Sequence, residues 1–175
     1  MEEVPDGSGG SLGTSGSSTT GADDGGSSNA GGGAAQGTCQ GTIMVSSSED
    51  FADLVARGCR VVTGALRITQ TDVSSLSGLV IESIGADLTI AQNPQLTSLA
   101  GLERVTHIGA RMNIISNAQL SSLSPLLSWP PDTVGESISI QLNPALPQCA
   151  VEALDAHLTA SCNNCASNDD DGACN

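Results

Sequence analysis

Four stretches of the chain share one alternation of apolar and polar positions. Gly64-Ala-Leu66-Arg67-Ile68, Gly85-Ala-Asp-Leu88-Thr89-Ile90, Gly109-Ala-Arg-Met112-Asn113-Ile114 and Gly135-Glu-Ser-Ile138-Ser139-Ile140 each close in apolar-polar-apolar order. That order places two side chains on one face and a polar one on the other, as a half-buried strand requires. The terminal isoleucines lie 22, 24 and 26 residues apart. Three residues after each comes Thr71, Asn93, Asn117 or Asn143. A series of leucines at three-residue spacing follows, as in Leu96-Leu99-Leu102 and Leu120-Leu123-Leu126, and Ile84, Ile108 or Val134 precedes the next glycine.

One unit of this size cannot close a core alone, so the units are expected to stack, each slot forming an inward ladder of like side chains. The expected fold is all-β dominated, a solenoid of about four coils with short capping helices, in one domain. Asn93, Asn117 and Asn143 then form a structural ladder, because a buried amide at a corner can bond its own backbone and that of the adjacent repeat. A solvated turn asparagine explains one of them better than three in register. At the front, Ser47-Ser48-Glu49-Asp50 before Phe51-Ala-Asp-Leu54 predicts a capped amphipathic helix. At the back, Val151, Leu154 and Leu158 predict a second one.

Composition divides the chain. Residues 1–38 hold 12 Gly and 7 Ser and only two of Leu, Ile and Val, whereas residues 39–161 hold 35 of those three. The first segment reads as a disordered Gly/Ser/Asp-rich linker, since it cannot bury enough surface to offset backbone ordering of about 1–2 kcal/mol per residue. Residues 39–161 read as the folded domain and 162–175 as a Cys/Asn/Asp-rich tail. The formal charge of −14, with no lysine, argues against nucleic acid as a partner. No apolar run is long enough for a transmembrane segment.

From Cys39 onward the motifs resemble a known family. Cys39-Gln-Gly, the Ser-Ser-Ser-Glu-Asp-Phe-Ala-Asp-Leu helix, Gly58-Cys59 and the Gly-x-Leu-x-Ile strands alternating with leucine-rich segments are similar to the receptor L domain. They are closer still to L-domain-like proteins of bacterial cell surfaces, which often end in a Leu-Pro-Gln-Cys segment like Leu146–Cys149, a helix and an Asn/Asp-rich tail. The resemblance implies a right-handed parallel β-helix of leucine-rich-repeat type and a general role in extracellular recognition, with no ligand attached.

Six cysteines flank the repeats: Cys39, Cys59, Cys149, Cys162, Cys165 and Cys174. An even number at the two ends predicts disulfides and an oxidising compartment, extracellular or at the cell envelope. Cys39 and Cys59 bracket the front helix, and the resemblance implies that pair. Cys149–Cys174 with Cys162–Cys165 competes with Cys149–Cys162 and Cys165–Cys174. Met1-Glu-Glu-Val-Pro-Asp has neither the basic nor the apolar region of a secretory leader. The leader is therefore expected upstream of this start or already removed, with the spacer serving as a lipid-anchored tether.

Catalytic chemistry finds little support. His107 and His157 have no nucleophile or metal-binding motif near them, and Cys162-Asn-Asn-Cys165 lacks the βαβ setting of a redox motif or a close His for zinc. Asn168-Asp-Asp-Asp-Gly172 lacks the closing Glu of a calcium loop and is expected to be a solvated tail. Glu103 and Asp87 are dispersed acids, not a glycosidase dyad. The expectation is a non-enzymatic recognition or adhesion module without metal or cofactor, monomeric, binding a protein or glycan. A self-associating structural envelope protein and a carbohydrate-active enzyme are the alternatives. The candidate ligand surface is the outward row Arg67, Thr89, Asn113 and Ser139; Trp129, in the proline-stiffened loop of the last repeat, is a further candidate anchor, against its commoner role of covering the coil edge.

Overall fold

The computed structural model describes residues 37–171. The linker expected over 1–38 and Cys174 therefore lie outside the described residues, apart from Gly37 and Thr38. In chain order the elements are β1 (Thr38–Cys39), β2 (Ile43–Val45), α1 (Ser48–Arg57), β3 (Val61–Val62), β4 (Leu66–Thr69), β5 (Ser83–Ile84), β6 (Leu88–Ala91), β7 (His107–Ile108) and β8 (Met112–Ile115). A 3-10 turn (Ser124–Ser128), β9 (Ser137–Gln141), α2 (Gln148–His157) and β10 (Ser161–Asn164) follow.

Every strand pairing is parallel. One sheet has four strands in the order β1-β3-β5-β7, and the other has six in the order β10-β9-β8-β6-β4-β2. The first four units each give a two-residue strand to the first sheet, turn at a glycine, and give a longer strand to the second; the unit of β9 meets the first sheet only through a bridge between Ile108 and Val134. The longer strands stack without slippage: Leu66, Leu88, Met112 and Ile138 form one inward row, and Ile68, Ile90, Ile114 and Ile140 the next. All eight are essentially inaccessible, and a buried side chain of this kind contributes roughly 1.5–3 kcal/mol.

The glycine at each turn is required by close approach of neighbouring repeats. A Cβ on Gly109 would lie 2.3 Å from the Gly85 carbonyl oxygen, and one on Gly85 2.3 Å from that of Thr63. No side chain fits in such a gap, so the repeats are as close there as two backbones allow.

The expectation of an all-β, closed parallel β-helix is corrected by this arrangement. Among the described residues the chain is an α/β fold of two parallel sheets and two helices, with only about 28% of those residues in strands or bridges. The physical reason lies in the leucine-rich segments. Leu76, Leu79, Leu96, Leu99, Leu102, Leu120, Leu123 and Leu126 are buried as expected, but three-residue spacing suits turns and not the two-residue period of a strand. Among the described residues, ladder pairing between these segments is limited to single bridges joining Ser75, Ser98 and Ser122. Strands therefore line two faces and do not wrap around the core.

Both helices form where the sequence predicts them. The Ser47 hydroxyl accepts the Asp50 N–H at 3.0 Å to start α1, and Gly58 ends it in the left-handed conformation. Leu54 points into the core, and α1 packs on the edge strand β2. Val151 and Leu154 bury one face of α2, which packs on the 3-10 turn.

Packed structure also continues beyond residue 161. β10 pairs with β9 through a bulge between Cys162 and Asn164, and Asp169 exchanges backbone hydrogen bonds with Leu146 and Gln148. Across its described residues, the segment expected to be a solvated tail is docked.

Candidate functional site

The outward face of the six-stranded sheet begins with alternation. Because inward positions are filled by aliphatic side chains, the residues between them must face away from the core. In register these are Met44, Arg67, Thr89, Asn113 and Ser139, one from each of β2, β4, β6, β8 and β9. Asn164 of β10 pairs with Ser139 at the far edge. Met44 is 69% exposed and Arg67 is exposed, while Thr89, Asn113 and Ser139 are half-buried by their neighbours.

The structure thus brings four of the five expected ligand-surface residues into one row, and it excludes the fifth. Trp129 is 2% exposed, with its indole N–H donating to the Leu102 carbonyl at 2.7 Å. Its own carbonyl meets the His157 Nε2 at 2.8 Å. Trp129 is therefore a packing residue that fills the longer last repeat beneath α2, because an indole so placed satisfies its polar edge internally. His157 is half-buried through its contact with the Trp129 carbonyl, and His107 lies exposed on β7.

The six strands of this sheet contain a single charged residue, Arg67. Elsewhere Arg60 pairs with Glu82 at 3.3 Å and Arg111 with Glu136 at 3.2 Å, all well exposed, Arg57 sits in the last turn of α1, where the helix dipole favours a cation, and Arg104, outside both sheets, has no ion pair among the described residues. Arg67 has no ion pair among the described residues. The polar row also differs from end to end. The Asn164 amide donates to the Gln141 side-chain oxygen at 2.6 Å, and the Ser139 hydroxyl donates to the Asn164 carbonyl at 3.4 Å. The side chains of Arg67, Thr89 and Asn113 make no such bonds among the described residues.

The asparagine ladder stands behind one end of this sheet. Asn93 Oδ1 accepts the Thr71 N–H at 3.0 Å and the Thr71 hydroxyl at 2.8 Å. Asn117 Oδ1 accepts the Asn93 N–H at 3.1 Å, and Asn143 Oδ1 accepts the Asn117 N–H at 3.0 Å. The amide nitrogens donate to the carbonyls of Ile68, Ile90 and Ile114. Sequence reasoning missed the fifth rung: Asn168, itself buried, accepts the Asn143 N–H at 3.3 Å and donates to Ile140. Among the described residues no buried side-chain polar atom lacks a partner.

Also missed were the left-handed residues Gln70, Gln92, Ser116, Leu142 and Ser167, with φ of 57–60°. Each immediately precedes a ladder residue. Recurrence at every corner marks this uncommon conformation as part of the architecture, in contrast to an isolated strained residue at a site of chemistry. No glycine occupies these positions, so the sequence carried no signal for them.

Beside this corner, Ser46, Ser47, Ser48, Gln70, Thr71, Asp72, Gln92 and Pro94 line an open groove of about 450 Å³. It forms because the chain leaves β2 to enter α1 where later repeats make the left-handed corner. Disulfides join Cys39 to Cys59 and Cys162 to Cys165. Cys149 is also disulfide-bonded; its expected partner Cys174 lies outside the described residues. Among the described residues, no group of three or more His, Cys, Asp or Glu is placed to hold a metal ion, and no helix is long and apolar enough to cross a membrane. No family model, curated protein or solved structure matches the chain.

Proposed function

We propose that this chain is a non-enzymatic recognition or adhesion module working outside the cell or at its envelope, with the outward face of the six-stranded sheet as its binding surface. The observation that carries the reading is the row Arg67, Thr89 and Asn113: in register, facing solvent and without internal hydrogen-bond partners. Extended parallel sheets in repeat proteins offer such rows to partners. The disulfides fit an oxidising compartment. The similarity of the repeat motifs to receptor L domains supports the same role, by motif and not by closed-helix architecture. A lipid-anchored tether through residues 1–38 belongs to this proposal.

The test is binding by the full chain on protein and glycan arrays, compared with Asn113→Glu, which introduces a larger, charged side chain in the middle of the row. Ligands that bind the parent and are lost in the variant are the expected result. A ligand bound equally well by both places recognition off the sheet face. Light scattering after size-exclusion chromatography addresses self-association: a monomer at all concentrations is expected, and concentration-dependent growth favours a structural envelope protein.

A further inference from the structure

We propose that Arg67 is the anchor for a single carboxylate on an otherwise neutral glycan, which lies across the strands along Arg67, Thr89 and Asn113. This rests on the reading of the sheet face as the binding surface and names the ligand class. Charge is the first argument. A chain of net charge −14 carries 24 sheet positions with no acid and one cation, and that cation has no ion pair among the described residues. An unpaired guanidinium presents a planar fork of donors matched to a carboxylate. One cation inside a strongly acidic molecule suits one anionic group and disfavours a polyanion such as nucleic acid or a highly sulfated polysaccharide, which needs many cations at once.

Geometry supplies the second argument. Cα partners on β4, β6 and β8 place Arg67, Thr89 and Asn113 on three successive strands. Strands in a sheet are ~4.8 Å apart, a step comparable with one pyranose unit, so a sugar chain crossing the strands meets one side chain per ring. A guanidinium, a hydroxyl and an amide together provide donors and acceptors for sugar hydroxyls. Met44, the Cα partner of Arg67 on β2 and 69% exposed, gives an apolar surface to one face of the ring. Protein interfaces, by contrast, build their energetic centre from large buried anchors. Thr89 and Asn113 are too small to be such anchors, and the chain's one Trp is inside the core.

Calorimetry on the full chain tests this with three probes: a neutral oligosaccharide bearing one glucuronate, the same oligosaccharide with that carboxylate reduced to the alcohol, and an acidic peptide. The expected result is binding of the first, with at least ~tenfold weaker binding of the second, since a hydrogen bond to a charged group is worth that much. Arg67→Gln loses the same factor while its thermal melt stays that of the parent, and Arg67→Lys recovers part of it. Equal binding of the first two probes, preference for the peptide, or no binding of the glucuronate probe overturns the proposal. So does binding unaffected by Arg67→Gln. Loss on Asn113→Glu but not on Arg67→Gln removes the carboxylate anchor and leaves the sheet face standing as the binding surface; insensitivity to both removes both.

Discussion

Asn117 stands between two identical side chains and serves both. Its oxygen receives the N–H and the amide of Asn93, and its amide reaches the Ile90 carbonyl at 3.0 Å. Alanine at this position leaves several buried groups unpaired, each costing about 1–3 kcal/mol, so Asn117→Ala is expected to lose about 3 kcal/mol or more in urea unfolding. A loss below 1 kcal/mol would mean that water replaces the rung. Asp50 gives a second residue-scale expectation. Hydrogen bonds from the Ser46 backbone N–H, and then from the Ser46 and Ser47 hydroxyls, hold its carboxyl below the ordinary 3.8. With the folded pKa depressed, its stabilisation of the α1 entry is present above the unfolded value and disappears as pH falls through the folded one. Carboxyl NMR should find its midpoint below 3.8, with Ser46→Ala moving it upward. An unshifted midpoint would count against that bond network.

At the scale of elements, the longer strands were legible because alternation and glycine coincide in them. Gly109→Ala tests what the glycine does: its Cβ would meet the Gly85 carbonyl at 2.3 Å, so the repeats must separate, at the 1–3 kcal/mol, roughly, of an overpacked site. Thermal melting reads this directly, and a parental melting temperature would show that the repeats are not held so close. What escaped the sequence has physical reasons too. Two-residue strands such as β5 and β7 are too short to alternate. The leucine-rich segments carry as much apolar character as a strand but turn every third residue, so they extend the core without extending a sheet, and the closed β-helix expectation failed there. β10, Ser161–Asn164, has no aliphatic residue; it pairs because the Asn168 corner behind it repeats the Asn143 corner. For Trp129, the proline-stiffened loop left both a partner anchor and a cover for the coil edge open, and a buried carbonyl partner on Leu102 decides for the second. Of the candidate surface, Arg67, Thr89, Asn113 and Ser139 were legible from alternation alone. Met44 carried the same signal, Gly41-Thr-Ile43-Met44-Val45 matching Gly64-Ala-Leu66-Arg67-Ile68, but no corner residue follows it, because the chain enters α1 there.

At the scale of the whole molecule, the two disulfides that lie wholly among the described residues close segments of very different length. Cys39–Cys59 spans 20 residues and Cys162–Cys165 only 3. Chain entropy assigns about 3 kcal/mol to the first and about 2 kcal/mol to the second. Cys39→Ser with Cys59→Ser is therefore expected to lower the urea midpoint more than Cys162→Ser with Cys165→Ser; the reverse order would show that fixing edge strand β10 matters more than loop closure. The ladder has one more consequence, for how the fold is reached. Its amide bonds join residues 22 to 29 apart, and the parallel pairings of the six-stranded sheet follow the same one-repeat step. Parallel sheets are ordinarily slow to form because their partners are distant in the chain. Here each new repeat finds its partner in the one just made, so the loop to be closed stays the same size however many repeats are added, and folding can start at any repeat and spread in both directions.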